Sequence, residues 1–240
     1  MIEVSGFHKA FSNQIAARGI AFRVEPGELL GLIGPNGAGK TTTMRAIAGI
    51  TPASSGRISI AGFDIESEPI AAKSRLAFVP DEPPLFSDLT VEEHLSFYAN
   101  VYRVCGAETK AVGLLNEFEL MPKLHTPAND LSRGMRQKLA ICCAYLHDPA
   151  AILLDEPLTG LDPQGIRALK RSLQDRAADG AAVVISSHLL AMVEDLCTHV
   201  LILTGGEQRF CGPIDELRTS FERDEPTARL EDMYFAATSP

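Results

Sequence analysis

The stretch GPNGAGKT at residues 34–41 is the feature that most constrains the fold of this chain. It fits the pattern G-x-x-x-x-G-K-[S/T], follows the apolar run ELLGLIG (28–34) and opens the helical pattern KTTTMRAIAGI (40–50). A loop of this kind lies between a strand and a helix, because its backbone N–H groups and the positive end of the helix together bind phosphate. The stretch therefore predicts an α/β fold whose sheet carries a phosphate-binding loop.

Each residue type in this loop has a part in holding a triphosphate. Gly34, Gly37 and Gly39 allow tight turns that aim backbone N–H groups at phosphate oxygens. The Lys40 ammonium is expected to reach the β- and γ-phosphates, and the Thr41 hydroxyl is expected to bind Mg²⁺. We therefore expect ATP and Mg²⁺ as cofactors. The expected nucleotide-binding residues of the loop are Gly34, Pro35, Asn36, Gly37, Ala38, Gly39, Lys40, Thr41 and Thr42.

The rest of the chain alternates apolar runs with helical patterns. AILLDEP (151–157) and AAVVISSH (181–188) are runs of the kind that a parallel sheet buries on both faces. Residues 1–25 and 56–65 have the pattern of strands joined by turns, which indicates an antiparallel edge. Strand–helix alternation predicts an α/β fold, a P-loop NTPase core with a mostly parallel sheet. The expected parts of this single domain are an α/β nucleotide-binding core at 1–82 and 148–213, an inserted helical lobe at 83–147 and a C-terminal tail at 214–240.

Three polar residues end the two buried runs. Asp155 and Glu156 follow AILL, and His188 follows VVISS. Paired with a phosphate loop, Asp155 is expected to hold Mg²⁺ through water, and Glu156 is expected to accept a proton from the attacking water. The carboxyl ends of parallel strands share one ligand crevice, so His188 is expected within reach of the γ-phosphate; a purely structural histidine is the alternative.

Composition excludes several classes of function. The formal net charge of −9 argues against direct binding of nucleic acid. No apolar run approaches the roughly 18 residues needed to cross a bilayer, and the first residues lack the basic start and apolar stretch of a signal peptide. The five cysteines form no C-x-x-C pair, which favours buried thiols in a reduced cytoplasm over a redox role. We therefore expect a cytoplasmic protein that meets a membrane only through a partner.

The stretch LSRGMRQKLA at residues 131–140 has no metal-ligand spacing and no nucleophile–base pair. Ser132 is a suitable N-cap for an apolar helix, and Gly134 lies at the positive end of that helix. The Ser132 hydroxyl and the Gly134 N–H are therefore expected to bind an anion. An ordinary capped core helix would have the same cap and the same apolar stripe.

The chain resembles the ATP-binding subunits of ABC transporters, and the resemblance covers nearly its whole length. Six motifs occur in the order of that family: GPNGAGKTT, FVPDEPPLF, LSRGMRQKL, AILLDEP, TGLDP and SSH. Two ATPase domains of that family pack head to tail. Each ATP then lies between the phosphate loop of one subunit and the LSRGMRQ-like signature helix of the other.

The resemblance implies roles for individual residues. Ser132 and Gly134 should contact the γ-phosphate of an ATP held by the opposite subunit. Asp162, in TGLDP, matches the loop that crosses the dimer interface, and His188 matches the histidine that contacts the γ-phosphate. Phe11 falls where the family places an aromatic ring against adenine, with a core position as an equal alternative.

The chain departs from the family pattern at three positions. Asp81, in FVPDEPP, stands where the family usually has a glutamine that helps to bind Mg²⁺, so Asp81 is a candidate metal ligand or a hinge of its loop. Arg133 replaces a signature glycine and Met135 replaces the signature glutamine. Because Gly134 is kept, we expect anion binding to survive. Arg133 is expected either to point away from the phosphate or to add a compensating charge.

The resemblance also implies partners. The signature LSRGMRQK and the tail LEDMYFAAT resemble the corresponding segments of exporter ATPase subunits, whose membrane proteins are separate chains. This resemblance implies a second ATPase subunit, identical or different, and a multi-span permease. The expected site of action is the inner face of the cell membrane. Two alternatives are a soluble ATPase of this type that acts on a ribosome or nucleic acid, and a regulatory subunit that binds ATP without hydrolysing it. The absence of a basic linker and of a heptad repeat disfavours the first, and Glu156 disfavours the second.

Overall fold

A computed structural model describes residues 1–12, 14–221 and 229–238. Within these residues the chain forms ten β-strands and nine α-helices. The strands are β1 (Ile2–Phe11), β2 (Gln14–Val24), β3 (Leu29–Ile33), β4 (Ser55–Ile60), β5 (Phe63–Asp64), β6 (Leu76–Val79), β7 (Ala151–Asp155), β8 (Ala182–Ser186), β9 (His199–Thr204) and β10 (Glu207–Pro213). The helices are α1 (Lys40–Ile47), α2 (Pro69–Lys73), α3 (Val91–Tyr102), α4 (Ala107–Glu117), α5 (Arg133–Tyr145), α6 (Pro163–Ala178), α7 (Leu190–Leu196), α8 (Ile214–Phe221) and α9 (Leu230–Thr238).

The described strands lie in one sheet whose central part is parallel. Their order is β5-β4-β1-β2-β10-β9-β3-β8-β7-β6. Strand β3 pairs in parallel with β8 and β9, and β7 pairs in parallel with β6 and β8. The carboxyl ends of β3, β7 and β8 therefore meet at one edge, which is where ligands bind in open α/β sheets. The predicted α/β fold with a mostly parallel sheet is confirmed.

Apolar side chains cover both faces of the parallel part. Every residue of β3, β7 and β8 is buried. Along β3, Leu29 and Ile33 belong to one hydrophobic cluster, and Leu30 and Leu32 belong to a second. Because successive side chains of a strand point to opposite faces, the two clusters lie on opposite sides of the sheet. Burial on both faces explains why these strands read as continuous apolar runs.

The antiparallel edge is formed by the segments that the sequence analysis assigned to it. Strand β1 pairs antiparallel with β2 and with β4, and β4 pairs antiparallel with β5. At the end of the first hairpin, Phe11 of β1 lies opposite Gln14 of β2. This hairpin end lies beside the phosphate loop, because the Ala16 carbonyl closely approaches the backbone of Gly39.

The predicted helical segment consists of α3, α4 and α5 with short connecting turns. Thr90 caps α3 in a reciprocal capping box with Glu93. Ser132 caps α5, whose Cys142 and Cys143 are buried in the core. Helix α5 therefore begins at the cap that the sequence analysis expects, and the capping box fixes the start of α3.

The cysteines are not all buried. Cys142, Cys143 and Cys197 are buried thiols, and burial raises the pKa of Cys197 to about 12. The expectation of buried cysteines is wrong for Cys105, which is exposed. Cys105 lies in the connection between α3 and α4, and such connections run over the surface.

Helices α8 and α9 pack against β9 and β10, the strands that adjoin the antiparallel part of the sheet. Leu230 and Met233 of α9 are fully buried, and α9 packs on α7, α8, β9 and β10. Residues 222–228 and 239–240 of the predicted tail lie outside the described residues. No helix in the described part of the chain is both long enough and apolar enough to cross a bilayer.

Candidate nucleotide site

The phosphate loop joins the end of β3 to the start of α1. Gly39 has a φ of +99°, and a Cβ added there would lie 2.4 Å from the Ala16 carbonyl oxygen, so only glycine fits. Helix α1 begins without a side-chain cap at Gly39. Its first-turn N–H groups and the positive end of its dipole therefore face the loop, where they can bind a phosphate.

Lys40 is folded back onto this loop. Its Nζ donates hydrogen bonds to the carbonyl oxygens of Gly34 (2.7 Å) and Pro35 (3.3 Å), and the residue is only 8% exposed. Burial lowers the pKa of Lys40, and the nearby charges of Glu156 and Asp155 oppose that shift. The ammonium is thus held at the loop by carbonyls that phosphate oxygens can replace.

Asp155 and Glu156 stand at the end of β7 beside the loop. Asp155 is 3% exposed, and the Ser186 hydroxyl of the neighbouring strand β8 donates a hydrogen bond to its Oδ1. The Glu156 N–H donates to both the carbonyl and the hydroxyl oxygen of Ser186, each at 3.1 Å. These bonds hold the two carboxylates next to each other at the cleft, with Asp155 buried and Glu156 partly exposed.

Glu156 also has an unusual backbone conformation. Its φ is +49°, the left-handed region that non-glycine residues rarely adopt. Such a conformation costs roughly 1–3 kcal/mol, and its occurrence at a candidate catalytic residue is a sign of function. The conformation ends the strand directly after Asp155, so the Glu156 side chain leaves the sheet and lines the cleft.

His188 contacts Glu156 directly. Its Nδ1 lies 2.8 Å from Glu156 Oε2, and its backbone N–H donates to the same oxygen at 3.4 Å. His188 does not itself line the nucleotide cleft. The described partner of this histidine is therefore Glu156, the candidate general base, and the contact can orient the Glu156 carboxylate.

The loop, the hairpin end and the strand ends enclose a cleft of about 450 Å³. It brings together eleven of the residues expected from the sequence: Phe11, Asn36, Gly37, Ala38, Gly39, Lys40, Thr41, Thr42, Asp81, Asp155 and Glu156. Gly34 and Pro35 contribute the carbonyls that hold Lys40. Sequence reasoning missed Gln14 and Ala16, which also line the cleft. The signal for them is the register of the hairpin, which places Gln14 opposite Phe11.

The start of α5 lies outside this cleft. Ser132 Oγ accepts a hydrogen bond from the Met135 N–H (3.2 Å), and Ser132 is exposed. A Cβ on Gly134 would lie 2.5 Å from the Gly160 carbonyl oxygen, so a glycine is needed where α5 meets the loop after β7. Neither Ser132 nor Gly134 lines the cleft of its own chain.

Asp162 caps α6 next to this helix start. Its Oδ1 accepts a hydrogen bond from the Gly165 N–H (3.0 Å) and lies 3.6 Å from Lys138 Nζ. The Gly165 N–H and, to a smaller extent, the Lys138 ammonium lower the pKa of Asp162. Asp162 is exposed, and it too lies outside the cleft.

The phosphate loop, the carboxylate pair at the end of a parallel strand and the inserted helices define a P-loop nucleoside triphosphatase. Residues 17–159 match the family described as ABC transporter. The chain is 35% identical over 240 residues to the ABC-type transporter ATP-binding protein EcsA of Bacillus subtilis, covering 99% of this chain and 96% of that protein. The chain therefore belongs to the ABC transporter family, as an ATP-binding protein with ATPase activity.

Solved structures agree with this assignment. A structure described as the ATP-binding subunit of an ABC transporter superposes with a TM-score of 0.94 at 35% identity, and the match covers 100% of both chains. A dimeric bacterial ABC transporter cassette, 22% identical, has a TM-score of 0.81 over 89% of this chain and 99% of that one, and it shows the fold alone. The alternatives of a ribosome- or nucleic-acid-directed ATPase and of a non-hydrolysing subunit fit these relatives less well.

Phe11 lines the nucleotide cleft, and its stacking on the base of the nucleotide stays a prediction. It is 49% exposed at the edge of the cleft, and the Lys9 ammonium lies 4.8 Å from its ring centroid. We expect Phe11→Ala to weaken ATP binding by about 1–3 kcal/mol, roughly 5- to 150-fold in Kd, because base–aromatic stacking is lost. Titration with a fluorescent ATP analogue measures this change. Phe86, 50% exposed and outside the cleft, is the matched control, and equal Kd values for Phe11→Ala and Phe86→Ala would contradict the stacking role.

Proposed function

We propose that this chain is the ATP-hydrolysing subunit of a membrane transporter and that it works by closing head to tail with a second ATPase subunit. One observation carries the proposal. Ser132 and Gly134 stand at the positive end of α5 and lie outside the cleft of their own chain; Ser132 is exposed and Gly134 is partly buried. An anion-binding helix end that its own chain does not use fits an ATP held by another subunit. The fold shared with a dimeric cassette supports this assembly.

Within one subunit, the described residues divide the work on ATP. The loop N–H groups and Lys40 bind the β- and γ-phosphates, whose oxygens replace the carbonyls of Gly34 and Pro35 that now accept from the Lys40 ammonium. Glu156 accepts the proton of the attacking water, and His188 orients the Glu156 carboxylate through the 2.8 Å contact. Closing the dimer excludes bulk water and brings Ser132 and Gly134 of the second subunit to the γ-phosphate.

The same cleft suits Mg²⁺. Thr41, Asp155 and Asp81 line it, and they offer the oxygen ligands that Mg²⁺ prefers. Among the described residues no group of three or more acidic, histidine or cysteine side chains forms a metal cage. Mg²⁺ is usually held by one or two carboxylates together with substrate phosphates and water. The protein therefore needs to supply only some of the ligands of this ion. Bound here, the ion would neutralise negative charge on the phosphates. We propose that Thr41 and Asp155 hold it, with Asp81 acting through water.

Asp162 completes the proposed interface. It is exposed beside Ser132's helix and is tied to that helix through Lys138. We propose that the segment around Asp162 meets the second subunit and senses whether its site is occupied. A shift of α5 on closure would then move Asp162 as well, because both belong to one packed unit.

The membrane partner would meet a second, apolar cleft. This cleft of about 300 Å³ lies between the α/β core and the helical lobe. It is lined by Ile50, Pro83, Leu85, Tyr98, Tyr102 and His147, among others. The segment 80–85 borders this cleft and, through Asp81, the nucleotide cleft. We propose that an apolar cytoplasmic segment of a separate membrane subunit occupies the apolar cleft.

That arrangement would transmit the ATP cycle to the membrane. A partner segment in the apolar cleft touches both the core and the helical lobe, so movement of one against the other displaces it. It would also hold this chain at the inner face of the membrane. We propose outward transport, because the signature and tail resemble those of exporter subunits.

The proposed function is tested with two matched cap variants. Ser132→Ala and Thr90→Ala each remove an N-cap of a helix in the helical lobe, at a cost of roughly 0.5–2 kcal/mol in stability. Only Ser132 is proposed to contact ATP, so we expect Ser132→Ala alone to lower ATPase activity, by about tenfold or more. Steady-state hydrolysis assays at matched folded fraction measure this. Equal loss in both variants would show that Ser132 matters only for the helix.

A further inference from the structure

Two positions at which this chain departs from the family pattern lie next to each other in the structure. Asp81 stands where a glutamine is usual, and Arg133 stands where a glycine is usual. Arg133 Nη2 donates a hydrogen bond to Asp81 Oδ1 at 3.3 Å, although 52 positions separate the two residues. One departure adds a negative charge, and the other adds the positive charge that faces it.

Arg133 is held on a second side by the loop after β7. A Cβ added to Gly160 would lie 3.1 Å from both Cγ and Cδ of Arg133, so the arginine stem lies against the Gly160 backbone. Gly160 has a φ of +82°, a conformation that favours glycine. Arg133 therefore joins three segments, namely the start of α5, the loop after β6 that carries Asp81 and the loop after β7.

The ion pair has little to do with stability. The side chains of Arg133 and Asp81 are 52% and 46% exposed, and pairs this open contribute little to folding. The ion pair instead changes the net charge at the nucleotide cleft, because Arg133 neutralises the Asp81 carboxylate. Asp81 lines the same cleft as Asp155 and Glu156, and an unpaired third carboxylate there would repel the triphosphate.

We propose that Arg133 is a positioning residue for Asp81: it neutralises this carboxylate and fixes its place at the cleft, so that the cleft accepts Mg²⁺-bound ATP. The inference rests on the proposed function, because it assigns the pair to the nucleotide cycle. The pair also ties the start of α5 to the segment 80–85, which borders the apolar cleft. Asp81 and Arg133 thus act as a unit in place of the usual glutamine and glycine.

If Asp81 and Arg133 act as a pair, the effects of their single substitutions on the KM for ATP should not add up in the double variant. Arg133→Gly alone leaves Asp81 unpaired, and we expect it to raise the KM for ATP roughly tenfold with a smaller change in kcat. Arg133→Lys keeps the charge and should restore most of the affinity. The double variant Asp81→Gln with Arg133→Gly removes both charges and keeps an amide oxygen at position 81, so it should recover most of the affinity that Arg133→Gly loses.

The experiment measures KM, kcat and the Kd of a fluorescent ATP analogue with Mg²⁺ for the wild type, both single variants, the double variant and Arg133→Lys. The control cycle is Lys170→Ala with Asp195→Asn, an ion pair at 2.6 Å between α6 and α7 that lies outside the cleft. Recovery in the double variant supports the proposal. Additive losses, or an unchanged Kd in Arg133→Gly, would overturn it. The analogue titration gives this answer even if the wild type fails to hydrolyse ATP, which would count against the proposed function alone.

Discussion

Glu156→Gln is expected to lower the rate of ATP hydrolysis about 10²- to 10⁴-fold while ATP still binds. Glutamine has nearly the same shape as glutamate but cannot accept the proton of the attacking water. The Lys40 and loop contacts that bind the phosphates do not involve the Glu156 side chain, so the Kd for ATP should change little. Phosphate release in steady state measures the rate, and titration with a fluorescent ATP analogue measures the affinity.

Glu82→Gln is the matched control for this prediction. Glu82 is an exposed glutamate directly after Asp81, and it does not line the nucleotide cleft. Its replacement removes the same charge from the same side of the molecule and should leave hydrolysis unchanged. A similar rate for Glu156→Gln and the wild type would exclude Glu156 as the general base.

Lys40→Ala is expected to weaken ATP binding about 10- to 100-fold, because hydrogen bonds to a charged group contribute about 1.5–3 kcal/mol. The substitution should raise the Kd for ATP, because Lys40 carries the buried ammonium of the phosphate loop. Lys73→Ala provides the control: Lys73 Nζ also donates to a backbone carbonyl, that of Gly49 at 3.0 Å, but outside the cleft. Titration with the same ATP analogue compares the two. An affinity loss of equal size in both variants would show that the change is not specific to the phosphate loop.

Local signals in the sequence predict much of this fold. The phosphate loop between β3 and α1 follows from glycine spacing, and the start of α5 follows from the cap Ser132. These signals are short in range, because a cap or a tight turn is satisfied within a few residues. Burial of the parallel strands follows from their unbroken apolar runs.

Contacts between distant segments are the part that the sequence alone left open. Gln14 and Ala16 join the cleft because of the hairpin register, which a single apolar pattern does not determine. The approach of Arg133 to Asp81 depends on how the start of α5 packs against the loops after β6 and β7. The sequence left two alternatives for Arg133, namely pointing away from the phosphate or adding a compensating charge. In the structure its guanidinium donates a hydrogen bond to Asp81.

His188 illustrates the same limit. The rule that parallel strands share a crevice at their carboxyl ends predicts its neighbourhood, and the structure places it beside that crevice. The residue that it contacts at 2.8 Å, Glu156, has a left-handed backbone. Strain of this kind is set by the packing around a site and leaves no pattern in the local sequence.

The central claim is that each ATP is bound by two subunits, the phosphate loop of one and the start of α5 of the other. Sedimentation velocity of Glu156→Gln, in which ATP would persist, tests this most directly. With Mg²⁺ and ATP the account predicts a particle of twice the mass of one chain, which returns to single-chain mass with ADP or when Ser132→Ala is added. A particle that keeps the mass of one chain in ATP, at high concentration and with the membrane subunit present, would contradict the account.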